Sequence, residues 1–166
     1  ENDKVINLKY ITSINFRIAR EVKGCSLNLL KEIINKEENT IFTTLIVSPP
    51  GKGKTTMLRD IIRNLSNGVK EMNFLGKTCG VVDERGELAA MYQGVPQNDI
   101  GIRTDVIENV SKAKGIDILI RTMAPQIIAC DEIGQKEDVM AILRAITSGV
   151  KGIFTMHGNS LEDIKS

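Results

Sequence analysis

Apolar and polar positions follow two rhythms along this chain. Residues 13–19, Ser-Ile-Asn-Phe-Arg-Ile-Ala, alternate at every step and predict a strand. Leu27, Leu30 and Ile34 recur at helical spacing, and the charged stretch 35–39 ends that helix. The run 41–47, Ile-Phe-Thr-Thr-Leu-Ile-Val, predicts a strand that opens into a glycine-rich loop, and Met57, Leu58, Ile61 and Ile62 place a helix over 55–66. Gly80-Val81-Val82 predicts a second strand. The segment 88–110 is polar and dotted with Gly and Pro, which predicts a long functional loop with short pieces of structure. A helix around 111–123, a strand over 126–130, a helix over 136–148 and a strand over 152–155 complete the pattern. Strands separated by helices predict an α/β fold with a mainly parallel sheet flanked by helices. Residues 1–40 read as an N-terminal strand and helix leading into a core over 41–166.

Composition narrows the function. The length of 166 residues suits one domain with a core of its own. A net charge of +1 with scattered charges gives no overall sign of nucleic-acid or membrane affinity. Two Tyr, four Phe and no Trp are too few for a base-stacking platform, so no direct nucleic-acid partner is expected. No apolar run approaches the roughly 18 residues of a membrane span, and the N-terminus is not a signal peptide. Cys25, Cys79 and Cys130 lack metal-ligand spacing and are expected to be reduced, with Cys79 and Cys130 in buried strands. The chain starts at Glu1 without Met, and a piece of a longer protein is expected.

The strongest chemical signal is Ser48-Pro49-Pro50-Gly51-Lys52-Gly53-Lys54-Thr55-Thr56, set between a strand and a helix. That is the context of a P-loop, whose successive N–H groups and following helix N-terminus converge on phosphate. Pro50, Gly51, Lys52, Gly53, Lys54, Thr55 and Thr56 are the expected nucleotide-binding residues. Lys54 would reach the β- and γ-phosphates of ATP, and the Thr55 hydroxyl would ligate Mg²⁺. The full pattern begins with Gly, and Ser48 stands there; a strained backbone angle would suit Ser less well.

Three further motifs stand at strand ends. Ile127-Ile-Ala-Cys130 runs into Asp131-Glu132, placing two acids at the carboxyl edge beside the P-loop. Asp131 suits a Mg²⁺ role, and Glu132 suits polarising a water against the γ-phosphate. Thr155-Met-His157-Gly-Asn159 closes the next strand, which should lie between the Asp-Glu strand and the P-loop strand. A lone histidine is more often a structural hydrogen-bonder, yet that position would turn His157 toward the γ-phosphate. Asp83-Glu84-Arg85-Gly86-Glu87 clusters three acids at another strand end, with Glu84 a candidate catalytic acid and a solvated turn the plainer reading. Arg103 and Arg121 are candidate γ-phosphate sensors or fingers acting across a subunit boundary.

These four motifs, in this order, resemble the RecA-like P-loop ATPases of type II and type IV secretion and pilus retraction, with their acidic box and Thr-x-His-x-Asn box. Longer phrases are similar to the stage III sporulation protein AA family. They include Pro49 to Asp60, Val82-Asp-Glu-Arg85, Tyr92 to Val106 and Ile120-Arg-Thr-Met-Ala-Pro125. The resemblance implies an ATP-hydrolysing motor domain that uses Mg²⁺ and assembles with itself into a hexameric ring. It also implies membrane-embedded sporulation channel proteins as partners, and a place in the cytoplasm at the inner face of the mother-cell membrane. Two other classes share the P-loop: a nucleic-acid-directed RecA-like or helicase-loader ATPase, and a nucleotide-bound scaffold that does not turn over.

Overall fold

The apolar runs around Val81 and Ile128 become central strands because such runs can be buried on both faces of a parallel sheet. The computed structural model describes residues 9–15 and 20–159. In chain order, α1 (Leu27–Ile33) leads into a short hairpin of β1 (Ile34–Asn35) and β2 (Thr40–Ile41). The glycine-rich loop joins β3 (Thr44–Ser48) to α2 (Lys54–Asn67). A second hairpin, β4 (Gly68–Val69) and β5 (Phe74–Leu75), precedes β6 (Cys79–Asp83). A third, β7 (Met91–Tyr92) and β8 (Val95–Pro96), precedes β9 (Thr104–Glu108). Then come α3 (Lys112–Thr122), β10 (Ile127–Cys130), α4 (Lys136–Thr147) and β11 (Lys151–His157). The main sheet has five strands in the order β3-β11-β10-β6-β9, all parallel. β11 therefore lies between the Asp-Glu strand and the P-loop strand, as the sequence predicts.

Strand alternation divides the core. Val81, Ile127, Ala129 and Ile153 pack with Leu58, Ile61 and Leu65 of α2 and with Leu30 and Ile33 of α1. Their neighbours Val82, Ile128, Cys130 and Phe154 pack with Ile116 and Leu119 of α3 and Ala141 and Ala145 of α4. Gly115 lets α3 lie close on β6, since a Cβ there would sit 2.5 Å from the Val82 side chain. Cys79 and Cys130 are free and buried in strands, as expected, and burial pushes the Cys79 thiol up to about 12 and the Cys130 thiol higher still.

Four expectations shift. The stretch 41–47 splits, because the chain turns after Ile41 and Thr44 Oγ1 bonds the Phe42 carbonyl at 2.8 Å before β3 begins. Ile34 leaves the helix with ψ 120° and joins β1. The segment 88–110 carries β9, an edge strand whose partly exposed Thr-Asp-Val-Ile-Glu gives little hydrophobic signal. Of the strand predicted over 13–19, residues 13–15 have no regular structure and 16–19 lie outside the described residues.

A buried polar clasp ties the start of α1 to α2. The Asp60 carboxylate accepts the N–H groups of Gly24 (3.0 Å) and Ser26 (2.9 Å) and the Ser26 hydroxyl (2.7 Å), and it pairs with Arg63 at 2.7 Å. Burial pushes this carboxyl up, but the bonds from Ser26, Arg63 and Gly24 outweigh it and hold the group below its ordinary 3.8. A depressed folded-state value contributes stability above the unfolded value and loses it as pH falls through the folded one. Asp60→Ala is expected to cost about 2–4 kcal/mol in urea unfolding at neutral pH, because buried donors lose their acceptor. The gap between the two proteins should narrow as pH falls below 3.8.

Candidate active site

The loop after β3 is built around two left-handed glycines, Gly51 (φ 72°) and Gly53 (φ 86°). Ser48 needs no such freedom: it is the last residue of β3, in register with His157, and its φ is not positive. The expected strain at the first P-loop position is therefore absent. Gly53 N-caps α2 with no side-chain cap, leaving the first helical amides for an anion. Pro50 and Lys52 sit on the exposed outside of the loop.

Lys54 is only 6% exposed. Its Nζ donates to the carbonyls of Ser48 (2.8 Å) and Pro49 (3.0 Å) and lies 3.0 Å from His157 Nδ1. An ammonium can only donate, so Nδ1 is the acceptor and the His157 proton resides on Nε2. That Nε2–H donates to Glu132 Oε1 at 2.9 Å. The imidazole thus links the P-loop lysine to the acid at the end of β10.

Thr55 and Asp131 meet across the same edge, Thr55 Oγ1 donating to Asp131 Oδ2 at 2.5 Å. The fully buried Thr155 hydroxyl bonds the other Asp131 oxygen and accepts the Glu132 N–H at 2.8 Å. Glu132 has φ 54°, so the backbone turns sharply just where its side chain is presented. A hydroxyl beside a carboxylate is a hard-oxygen donor pair. Among the described residues no cluster of three or more His, Cys, Asp or Glu could hold a metal alone. That combination fits Mg²⁺, which takes one or two protein oxygens and completes its shell with phosphate and water.

The acidic motif after β6 begins as an exposed turn at Glu84 and Arg85 and runs on into a loop held by hydrogen bonds. Buried Asp83 accepts the N–H groups of Glu87 (2.9 Å), Leu88 (3.1 Å) and Ala89 (2.8 Å). Arg59 of α2, 3% exposed, grips the carbonyls of Glu87 (2.6 Å) and Leu88 (2.8 Å) from below. Glu84 turns to α3, where it pairs with Lys112. Arg85 pairs with Glu132 Oε2.

A cavity of about 360 Å³ lies over the P-loop, lined by Gly51, Gly53, Lys54, Thr55, Glu132 and His157 among others. Glu87 of the acidic motif also faces it, as do Arg20 and Arg59, which did not stand out in the sequence as site residues. Glu84, proposed above as catalytic, does not line this cavity because Lys112 draws it toward α3. Arg103 precedes β9 and so sits at the amino edge of the sheet, where its Nη1 bonds the Ser66 carbonyl at 2.9 Å. A five-residue strand spans roughly 16 Å, which keeps Arg103 off the sheet edge that carries Asp131 and His157. Arg121, in the last turn of α3, lines a larger groove of about 550 Å³ against the start of α4, with none of the P-loop residues on its walls.

The chain matches a family model described as sporulation stage III, protein AA over residues 1–166. It is 43% identical over 164 residues to the stage III sporulation protein AA of Bacillus subtilis (strain 168), covering 99% of this chain and 52% of that protein. The chain thus spans about half the length of that curated relative. Among solved structures it is similar to the Legionella pneumophila ATPase DotB, with TM-score 0.57 and 20% identity over 83% of this chain and 35% of that one. It is also similar to the pilus retraction motor PilT with bound ADP, with TM-score 0.56 and 20% identity over 89% of this chain and 40% of that one. At this identity the likenesses show the fold, that of the RecA-like secretion ATPases.

Proposed function

The chain belongs to the sporulation stage III protein AA family, and from that premise we propose that it is the ATP-binding and ATP-hydrolysing motor domain of a secretion-type ATPase. In this reading it powers the channel complex between mother cell and forespore during endospore formation. The observation that carries the proposal is the convergence of Lys54, Thr55, Asp131, Glu132 and His157 on one sheet edge.

Loop amides and the start of α2 bind the β-phosphate, with Pro50 to Thr56 wrapping the phosphate chain. Lys54 leaves its carbonyl partners for the β- and γ-phosphates. Thr55 and Asp131 would hold Mg²⁺, which when bound would supply charge neutralisation to the phosphates. Glu132 orients a water and takes its proton as the oxygen attacks the γ-phosphorus, the bond from that phosphorus to the β–γ bridging oxygen breaks, and ADP and phosphate are the products. His157, with Nε2–H on Glu132, orients that carboxylate. The ADP named with the pilus retraction motor fits the same class of ligand.

A hexameric ring, membrane-embedded channel proteins as partners, and a peripheral position at the inner face of the mother-cell membrane belong to the same proposal. Among the described residues no helix is long and apolar enough to cross a membrane. Neither Arg103 nor Arg121 lines the P-loop cavity, so an arginine role for either would be played in a neighbouring subunit. Phosphate release by the full-length protein, followed with light scattering across protein concentrations, tests this. The specific rate is expected to rise with self-association, since an arginine supplied in trans can add about 10³-fold or more in phosphoryl transfer. A rate independent of concentration and equal in this chain and the full-length protein would show that each subunit works alone.

A further inference from the structure

We infer that Arg85 is the working residue of the acidic motif, a positioning residue that acts through Glu132 and sets the orientation of its carboxylate over the P-loop. The inference rests on the proposed role of Glu132 as the base. It assigns Asp83 and Glu84 a different task, holding the Arg85 loop still.

Glu132 stands on the wall between two cavities. One is the P-loop cavity, shared with Lys54, Thr55 and His157; the other is shared with Asp83, Glu84, Arg85 and Lys112. Arg85 belongs to the second alone, so it reaches the nucleotide side through Glu132. The carboxylate is gripped at both ends: Arg85 Nη1 takes Oε2, and His157 Nε2 takes Oε1 at 2.9 Å. Two donors at opposite oxygens fix the plane of the group, and a carboxylate has about four lone-pair sites, so room remains for a water. The Glu132 backbone is fixed as well, with its N–H on Thr155 Oγ1 at 2.8 Å. Only side-chain rotation is left free, and that is what the two grips remove.

The Arg85 end is equally anchored. Asp83 accepts three successive loop amides, Glu87 to Ala89. Arg59 holds the Glu87 and Leu88 carbonyls, and the Gly86 N–H closes the turn on the Asp83 carbonyl at 3.4 Å. Glu84 is tied to Lys112, while the Arg85 side chain reaches Glu132 on the wall of the P-loop cavity. Because the Arg85 side chain is 61% exposed, the pair adds little to stability, and its consequence falls on alignment. A misplacement of the order of 1 Å can cost about 10²-fold in rate.

The test uses the full-length protein with Arg85→Ala, Arg85→Lys, Glu132→Gln and the double variant Arg85→Ala with Glu132→Gln. Arg85→Ala is expected to lower kcat by roughly 10- to 100-fold, with KM for ATP and affinity for ADP within about 2-fold and an unchanged melting temperature. Arg85→Lys should recover part of the loss, since a point charge holds Oε2 without the planar fork. In the Glu132→Gln background, removing Arg85 should cost nothing further, because the residue it positions no longer acts. An unchanged or faster kcat in Arg85→Ala overturns the inference, as does a loss that multiplies with that of Glu132→Gln or a large rise in KM. If Glu132→Gln is slow while Arg85→Ala is not, only the role of Arg85 fails. If Glu132→Gln turns over like the parent, the base assignment fails and takes this inference with it.

Discussion

Glu132→Gln is expected to bind ATP as the parent does and to turn it over roughly 10²-fold or more slowly, the scale for removing a positioned base. The amide keeps the shape of the side chain and can still accept from Arg85 or His157 through its one carbonyl oxygen. It cannot take a proton from water. Binding should survive because the groups expected on the phosphates, Lys54 and the loop amides, are untouched, and Thr55 still meets Asp131 at 2.5 Å. Single-turnover phosphate release beside calorimetric titration separates the two effects. Hydrolysis at half the parent rate would move the base elsewhere. Glu87 is the next candidate, since it lines the P-loop cavity while Glu84 is turned to Lys112.

Much of this site was legible because parallel sheets collect functional residues where apolar runs stop. Ser48, Asp131 and His157 each follow directly from a run of apolar residues, and once the strands pair in parallel their ends meet on one edge. The arginines were not legible by the same rule. The place of Arg103 was hidden because β9 went unrecognised; a residue that precedes a strand must lie at the opposite edge from one that follows it. The edge position of β9 explains the omission, since half-exposed strands carry polar residues and lack the apolar signature. Arg85 was hidden for another reason. Its partner lies 47 residues away, and no local periodicity encodes a side-chain contact across a turn. Arg59 sits on the helix face shared with Leu58 and Ile62, where spacing alone predicts an apolar residue; its guanidinium is tolerated there because three carbonyls accept from it.

Lys54→Ala is expected to abolish tight ATP binding, and the resting geometry shows how much rides on this one side chain. The ammonium is nearly buried and held by two P-loop carbonyls and an imidazole nitrogen, so it is already desolvated and lies at the mouth of the loop. Moving from neutral carbonyls to a polyphosphate gives the ammonium acceptors that carry full negative charge, so an ion–dipole contact becomes an ion pair. The loop amides cannot compensate, since they supply partial charges only. The substitution should also release His157 Nδ1 from its donor, leaving the ring free to turn and loosening its hold on Glu132 Oε1. Binding and alignment therefore fail together, and turnover should fall further than the affinity loss alone accounts for at saturating ATP. Calorimetry with ATP and Mg²⁺ on the folded variant checks the first, with circular dichroism confirming the fold. Near-parental affinity in Lys54→Ala would remove this lysine from the phosphate site and with it the P-loop reading of residues 48–56.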